Sequence, residues 1–317
     1  MRAYIIRRLL LVIPTVIFVS LIIFFIIRLI PGDVIDIMEA QYGNAAHMDR
    51  HAIEHALGYD VPIYVQYGRW IGRIVVHGDL GNSLWTAQPV MNDIRSRWPV
   101  TFELGIMAFI ITQLIAIPIG IFSALRQDTW GDYFARSFAI LCIAVPGFWL
   151  ATLVVVYPAI WWGYSPQLLF IHFTHDPTGN LREFIIPAIV LGMSGVGSNM
   201  RLMRTMMLEV LRQDYVRTAW AKGLKERAVV MRHTLKNALI PVVTMAGGQL
   251  TIIVSGSVII ENIFSLPGLG QLLTNATTSR DYTVVSAVVL ITSVVLVFIN
   301  LLTDLSYGFL DPRVHYR

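Results

Sequence analysis

An all-α integral membrane protein with six transmembrane helices and a structured first extracytoplasmic loop is the fold class this sequence predicts. Three observations predict it. Of the 317 residues 56% are hydrophobic and only 14% charged, where a soluble domain carries about 25% charged residues. The deficit lies in long apolar runs of membrane-spanning length. The remaining charge is collected unevenly: the stretch from Arg201 to Pro241 holds nine of the 24 Lys and Arg against Glu209, Asp214 and Glu226.

The predicted spans are about 9–30, 101–125, 137–162, 185–203, 241–263 and 283–303. Arg2, Arg7 and Arg8 hold the start of the first span inside. Its apolar run from Leu9 to Ile27 is longer than the roughly 7–15 residues of a signal h-region, and no small-residue cleavage site follows, so it reads as a retained helix. Arg28, one turn from its end, is placed to snorkel to the interface. Six spans put both termini on one side, and the basic short loops make that side the cytoplasm.

The loop from Pro31 to Val100 then lies outside, with eight acidic residues against five Arg. Pro31-Gly32-Asp33 is a sharp stop. His47 to Gly58 reads as a short helix, Tyr64 to Val75 as an aromatic-rich amphipathic one, and His77 to Ser83 as a glycine-punctuated turn. Such a loop is expected to fold over the outer mouth of whatever the spans enclose. His47, His51 and His55 recur every four residues, but three histidines along one axis rarely converge on an ion. They read as a solvated polar face, as do His172 and His175, and no metal site is expected.

Pro118, Pro146 and Pro158 predict kinks in the second and third spans. The fourth span is short and rich in small residues (Gly192, Ser194, Gly195, Gly197, Ser198), which let helices pack closely. The fifth is expected to start at Pro241, a favoured first-turn position. Amides and hydroxyls at mid-membrane depth face protein or a cavity rather than lipid. Asn199, Gln249 and Ser255 are therefore the candidates for a translocation path, with interhelical hydrogen bonds as the other reading. Phe264 to Gly270 forms a tight outer turn, and Asp304 anchors the inner end of the sixth span.

Within the basic stretch, Asp214 is placed to cap a helix from Tyr215 to Lys222, and Gly223 to end it in a left-handed conformation. A second amphipathic segment from Glu226 to Leu239 makes this a knob of two short helices hinged at glycine. Ala219 and Ala221 allow close approach by a partner surface, while Arg217, Lys222 and Lys225 supply charge. An amphipathic helix on anionic lipid is the alternative, disfavoured by the three acids and the glycine break.

The run Asp214-Tyr215-Val216-Arg217-Thr218-Ala219-Trp220-Ala221-Lys222-Gly223-Leu224, followed by His233, Leu235 and Asn237-Ala238-Leu239-Ile240-Pro241, resembles the EAA loop of ABC importer permeases. Arg217-Thr218-Ala219 stands where Glu-Ala-Ala would be, as in the peptide-transport branch, and Gly223 is the motif glycine. Trp220 departs from the usual small or basic residue. Ile30 to Asp33, Gly78 to Gly81, Leu104-Gly105, Pro187 to Gly192, Phe264 to Gly270 and Leu310 to Arg313 extend the likeness along the chain in order. Together they resemble the first, B-type, membrane subunit of a dipeptide, oligopeptide or nickel importer.

The resemblance implies the type I permease fold, divided as 1–96 (first helix and outer loop), 97–306 (core, with a coupling loop at 204–240) and 307–317 (cytoplasmic tail). It implies a bacterial or archaeal inner-membrane protein paired with a second homologous permease. Two cytoplasmic ABC ATPases would take up Tyr215, Arg217, Thr218, Ala219, Lys222 and Gly223, and an extracytoplasmic binding protein would deliver substrate. Peptides are the leading substrate, with nickel, glutathione and oligosaccharides as alternatives. The chain has no Gly-Lys dipeptide, hence no phosphate loop, so no cofactor is expected in it, and ATP with Mg belongs to the partner ATPases. No catalytic residues are expected, since no His-Glu-x-x-His, serine elbow or Asp pair lies in a span. The modest net charge of +4, gathered on one side, gives no case for nucleic acid. An ion-gradient-driven transporter is the remote alternative. It would be expected to carry carboxylates inside the membrane, whereas Glu103, Glu261 and Asp304 all lie near span ends.

Overall fold

The computed structural model describes residues 2–29, 60–163 and 170–310. The expectations for Pro31 to Gly58, including the three histidines, and for the motif beyond Leu310 lie outside the described residues. Along the chain run α1 (Arg2–Leu29), α2 (Ile63–Gly72, continued by a π-helical turn Arg73–His77), α3 (Val90–Leu125), α4 (Trp130–Ala144) and α5 (Gly147–Trp162). There follow α6 (Pro177–Leu211), α7 (Asp214–Ala221), α8 (Glu226–Ile263), α9 (Leu269–Thr278) and α10 (Tyr282–Leu310). Five of the described helices are long and apolar enough to cross a membrane, or six if α4 and α5 form one span bent by 91°.

That bend sharpens the kink expected at Pro146 into a break within the span expected over 137–162. Pro146 has no N–H to donate and biases the residue before it away from helix, so Val145 is extended (φ −82, ψ 119) and the ladder stops there. Pro118 and Pro158 instead lie inside α3 and α5. The fourth span is also longer than its apolar run. Asp176 accepts hydrogen bonds from the N–H groups of Thr178 (3.1 Å) and Gly179 (3.0 Å), starting a helix of 35 residues. Those bonds, the Gly179 N–H first among them, hold the Asp176 carboxyl below the ordinary carboxylate value.

A further correction concerns the fifth span. Pro241 lies inside α8, not at its start, because the segment from Glu226 runs through a π-helical turn (Val229–Thr234) straight into the membrane helix. The two-helix knob is thus one short helix, α7, beside the N-terminal extension of a long one.

The chain divides into two compact units, one of Met1–Arg8, Pro99–Gln271 and Phe298–Arg317, the other of Leu9–Trp98 and Leu272–Val297. In the first unit, Val100, Leu104, Ala108, Thr112 and Ala116 are all fully buried, a single stripe of α3 at four-residue spacing. It packs against Ala151 of α5, Phe184 and Ala188 of α6, and Ile253 and Ile260 of α8. In lipid no water is expelled by such contacts, so small residues at this spacing stabilise by letting helices approach. At the C-terminal end of α8, fully buried Glu261 accepts from the Thr101 hydroxyl (2.7 Å) and from the N–H groups of Gly270 (2.6 Å) and Gln271 (3.2 Å), fixing the predicted turn. In the same unit, Arg8 pairs with Asp304 at 2.8 Å.

In the second unit, Phe24 of α1 is buried against Tyr67 and Trp70 of α2, with ring centroids 5.3 and 5.6 Å away. Arg28 does more than snorkel: its Nε and Nη2 donate to Gln66 Oε1 at 3.0 and 2.9 Å. The glycine turn is present, with Gly78 and Gly81 at positive φ, and it is sewn to the start of α10. Buried Asp281 accepts from the Ser83 hydroxyl (2.6 Å) and from the N–H groups of Leu84 (3.1 Å) and Val284 (3.2 Å).

Candidate coupling site and membrane polar cluster

The basic stretch folds as its local chemistry dictates. After α6, Gln213 turns extended (φ −72, ψ 146) and α7 begins at Asp214. Asp214 is therefore the first helical residue and not the cap expected; the cap position falls to Gln213, whose side chain makes no capping bond. At the other end the sequence expectation is met. Gly223 has φ +74, its N–H donates to Trp220 O (2.9 Å), and Leu224 N–H donates to Ala219 O (3.4 Å). This is the Schellman pattern, which needs the left-handed residue that glycine supplies without strain.

Amphipathicity decides how α7 sits. Val216 and Ala219 are buried with Val229 of α8 and pack on Val210 and Leu211 at the end of α6. Ala219, expected on the docking surface, thus faces the subunit's own helices, and its small side chain sets their spacing. Tyr215, Arg217, Thr218, Trp220, Lys222 and Gly223 are exposed. The Tyr215 hydroxyl accepts from Asn237 Nδ2 at 2.8 Å, which ties α7 to α8. The Arg217–Asp214 pair, at 3.4 Å and with both side chains mostly exposed, contributes little to stability. What α7 offers is a short helix, held by an apolar underside and exposing Arg217 and Lys222 beside Tyr215 and Trp220.

Within the membrane part of the first unit, Asn199 and Gln249 come together and Ser255 does not join them. Asn199 Nδ2 donates to Gln249 Oε1 (2.7 Å) and to Gln113 Oε1 (3.1 Å), and Gln113 Nε2 donates to Gln249 Oε1 (3.3 Å). Asn199 and Gln249 are buried, and Gln113 is half-buried. Gly195 makes room for them, since a Cβ there would overlap the Gln249 amide. Gln113 also lines a cavity of about 280 Å³ with Thr244, Gly247 and Thr303 among apolar neighbours. Ser255 is exposed and donates to Thr251 O of its own helix (3.1 Å), while the Thr251 hydroxyl donates to Asn300 Oδ1 (3.1 Å). Gln113, Thr251 and Asn300 were not singled out from sequence. An amide in the middle of the second span was the available signal for Gln113, by the rule that picked Gln249.

Among the described residues no group of three His, Cys, Asp or Glu is arranged to hold a metal. His172 stacks edge-on against Phe170, with ring centroids 4.5 Å apart.

Comparison with known proteins is uniform along the chain. Residues 116–316 match the family described as binding-protein-dependent transport system inner membrane component, and residues 1–105 match the N-terminal family of such membrane components. A Brucella suis chain that bears the name of a peptide transport system permease protein is 39% identical over 316 residues, covering all of both chains. The dipeptide transport system permease protein DppB of Escherichia coli K12 is 36% identical over 341 residues, again covering all of both. In fold, the chain is similar to a subunit of the MetNI methionine ABC transporter in its inward facing conformations. The TM-score is 0.56 at 15% identity, covering 70% of this chain and 97% of that one.

Proposed function

The chain belongs to the family of binding-protein-dependent transport system inner membrane components, the permease subunits of ABC importers, which are transport subunits and not enzymes. From that premise we propose that it forms, with a second homologous permease, the path by which di- and oligopeptides cross the inner membrane. Two cytoplasmic ATPases bind and hydrolyse ATP with Mg, and α7 of each permease seats in one of them. A binding protein on the outer side delivers the substrate. The peptide substrate rests on relatives that match over their whole length and carry peptide and dipeptide transport in their names.

The observation that carries the coupling role is the two-faced character of α7. Its apolar underside is spent on α6 and α8, so a push on its exposed face reaches both helices without bending the linker. Tyr215, Arg217, Thr218, Lys222 and Gly223 form the exposed coupling surface, and Ala219 supports it from below. Both termini are cytoplasmic on this reading, supported by the Arg8–Asp304 pair, which joins the two ends of the chain on the side of the basic residues.

The membrane residues divide by exposure. Ser255, with Thr251 and Asn300, lines the path towards the second permease, because hydroxyls and amides open at this depth are costly against lipid. Asn199 and Gln249 act from behind, fixing Gln113 and the helices that flank the path. Arg217→Glu/Lys222→Glu tests the coupling reading: ATPase retention by the membrane complex and dipeptide uptake should each fall more than about tenfold, with insertion unchanged. Wild-type uptake by that variant overturns it.

A further inference from the structure

Beyond the docking face of α7, the first unit contains a buried ion pair that neither the motif nor the path employs. Asp132, in the first turn of α4, is fully buried, and its carboxylate is saturated from three directions. Arg204 of α6 takes it in a two-bond fork, Nε to Oδ1 at 2.8 Å and Nη2 to Oδ2 at 2.7 Å. Ser123 near the end of α3 donates its hydroxyl to Oδ1 (2.5 Å), and the Asp128 N–H of the α3–α4 connection donates to Oδ2 (3.1 Å). Arg136 adds a looser approach at 3.9 Å.

A buried pair of this kind is weak evidence for stability, since an apolar pair of similar volume often serves as well; its best-attested use is to specify register. Its position gives register a purpose here. Arg204 lies two turns, roughly 10 Å, before the end of α6, where α7 packs through Val216 and Ala219. Asp132 stands in the first turn of α4, whose 15 residues end at the sharp break at Val145 and Pro146. The α4–α6 contact above the pair is otherwise smooth and small: Ala135 and Ala139 meet Met200, and a Cβ at Gly197 would touch Ala139 O. Such a surface resists separation well and sliding poorly. A slip of one turn along α6 would place Met200 or Leu208 opposite Asp132 and strand both charges.

We propose that the Asp132–Arg204 fork is a register lock that makes the broken span α4–α5 follow α6 when the coupling helix is driven. Asp132 and Arg204 are positioning residues for transport, acting through α6 and touching no substrate. The inference rests on the coupling role given to α7 above.

The test uses the whole transporter with its partner chains in nanodiscs, with the lone cysteine removed as Cys142→Ala. Spin labels on Phe134→Cys of α4 and Arg212→Cys after α6 report the register. A separate label on Leu224→Cys, exposed beside the coupling surface, reports seating of α7 in the ATPase. With the native pair, the 134–212 distance is the same without nucleotide and after trapping with MgATP and vanadate. In Asp132→Leu/Arg204→Met, which fills the space without charge, trapping should shift or broaden that distance by up to about one helical turn of 5 Å. A merely stabilising role would loosen it equally with and without nucleotide. Arg204→Lys keeps the charge but loses the fork, and gives a smaller nucleotide-dependent shift should the double variant fail to assemble. A 134–212 distance that ignores nucleotide in the assembled variants, while the Leu224 label is immobilised, overturns the register lock alone. A Leu224 label that stays mobile throughout overturns the coupling reading beneath it.

Discussion

Asn237 Nδ2 lies 2.8 Å from the Tyr215 hydroxyl, so α7 is tied by a side-chain bond to α8, the long helix that follows it. The bond spans the glycine turn and closes a loop that the backbone leaves open. Tyr215→Phe deletes it and nothing else. A single neutral hydrogen bond at a half-open site contributes about 0.5–1.5 kcal/mol. Uptake should fall by about twofold to tenfold, with Asn237→Ala giving the same loss and the double variant no more than either. Additive losses in transport assays of the three variants would show that the two residues act separately.

Gly223 gives a graded series. Its φ of +74 is costly for any side chain, although a Cβ there meets nothing within 4 Å, so the penalty is backbone strain alone. Gly223→Asn should be mild, Gly223→Ala cost about 1–2 kcal/mol and Gly223→Val more. ATPase retention by the solubilised complex is expected to decline in that order. A bulky but tolerant series would mean that the turn is not held left-handed.

Gly195 and Gln249 are predicted to be coupled in sign. Gly195→Ala pushes its Cβ into the Gln249 amide and breaks bonds to Asn199 and Gln113, leaving buried polar groups unsatisfied at about 1–3 kcal/mol. Gly195→Ala/Gln249→Ala removes the clash and one of the stranded groups, so it should melt higher than the single Gly195→Ala variant. Thermal unfolding of the purified subunit reads this directly, and a double variant that melts lower would refute the account.

The glycine turn at Gly78–Ser83 offers a test in the second unit. Asp281→Ala strands the Ser83 hydroxyl and the N–H groups of Leu84 and Val284, each of which now donates to its carboxylate. The expected loss is about 2–4 kcal/mol. It should appear as protease cleavage of the 78–89 segment from the outer face. Asp281→Asn, which keeps an acceptor oxygen, should lose less.

Topology has its own check. With Cys142 replaced, single cysteines at Arg7 and Lys222 should resist a membrane-impermeant maleimide in intact cells and react after permeabilisation. Labelling of either from outside would reverse the orientation proposed from Arg8 and Asp304.

The sequence by itself determined what depends on neighbours along the chain. Apolar runs of bilayer length set which segments are helices in the membrane, the basic stretch from Arg201 to Pro241 marked a polar break between two of them, and Gly223 marked the end of the short helix within it, because hydropathy and left-handed backbone are local properties. Local signals also misled where two of them competed. Pro241 is as compatible with the inside of a long helix as with its start, and Pro146 could kink a span or break it; only the packing around each decides. The tertiary structure alone decided which polar side chains meet. Asn199 and Gln249 are 50 residues apart, Asp132 and Arg204 are 72 apart, and Ala219 turned inward although composition offered it as a docking face. The physical reason is that a buried amide or charge must be satisfied by whatever helix lies opposite. That choice is made by close approach at small residues such as Gly195 and Gly197, and no pattern along one helix records it.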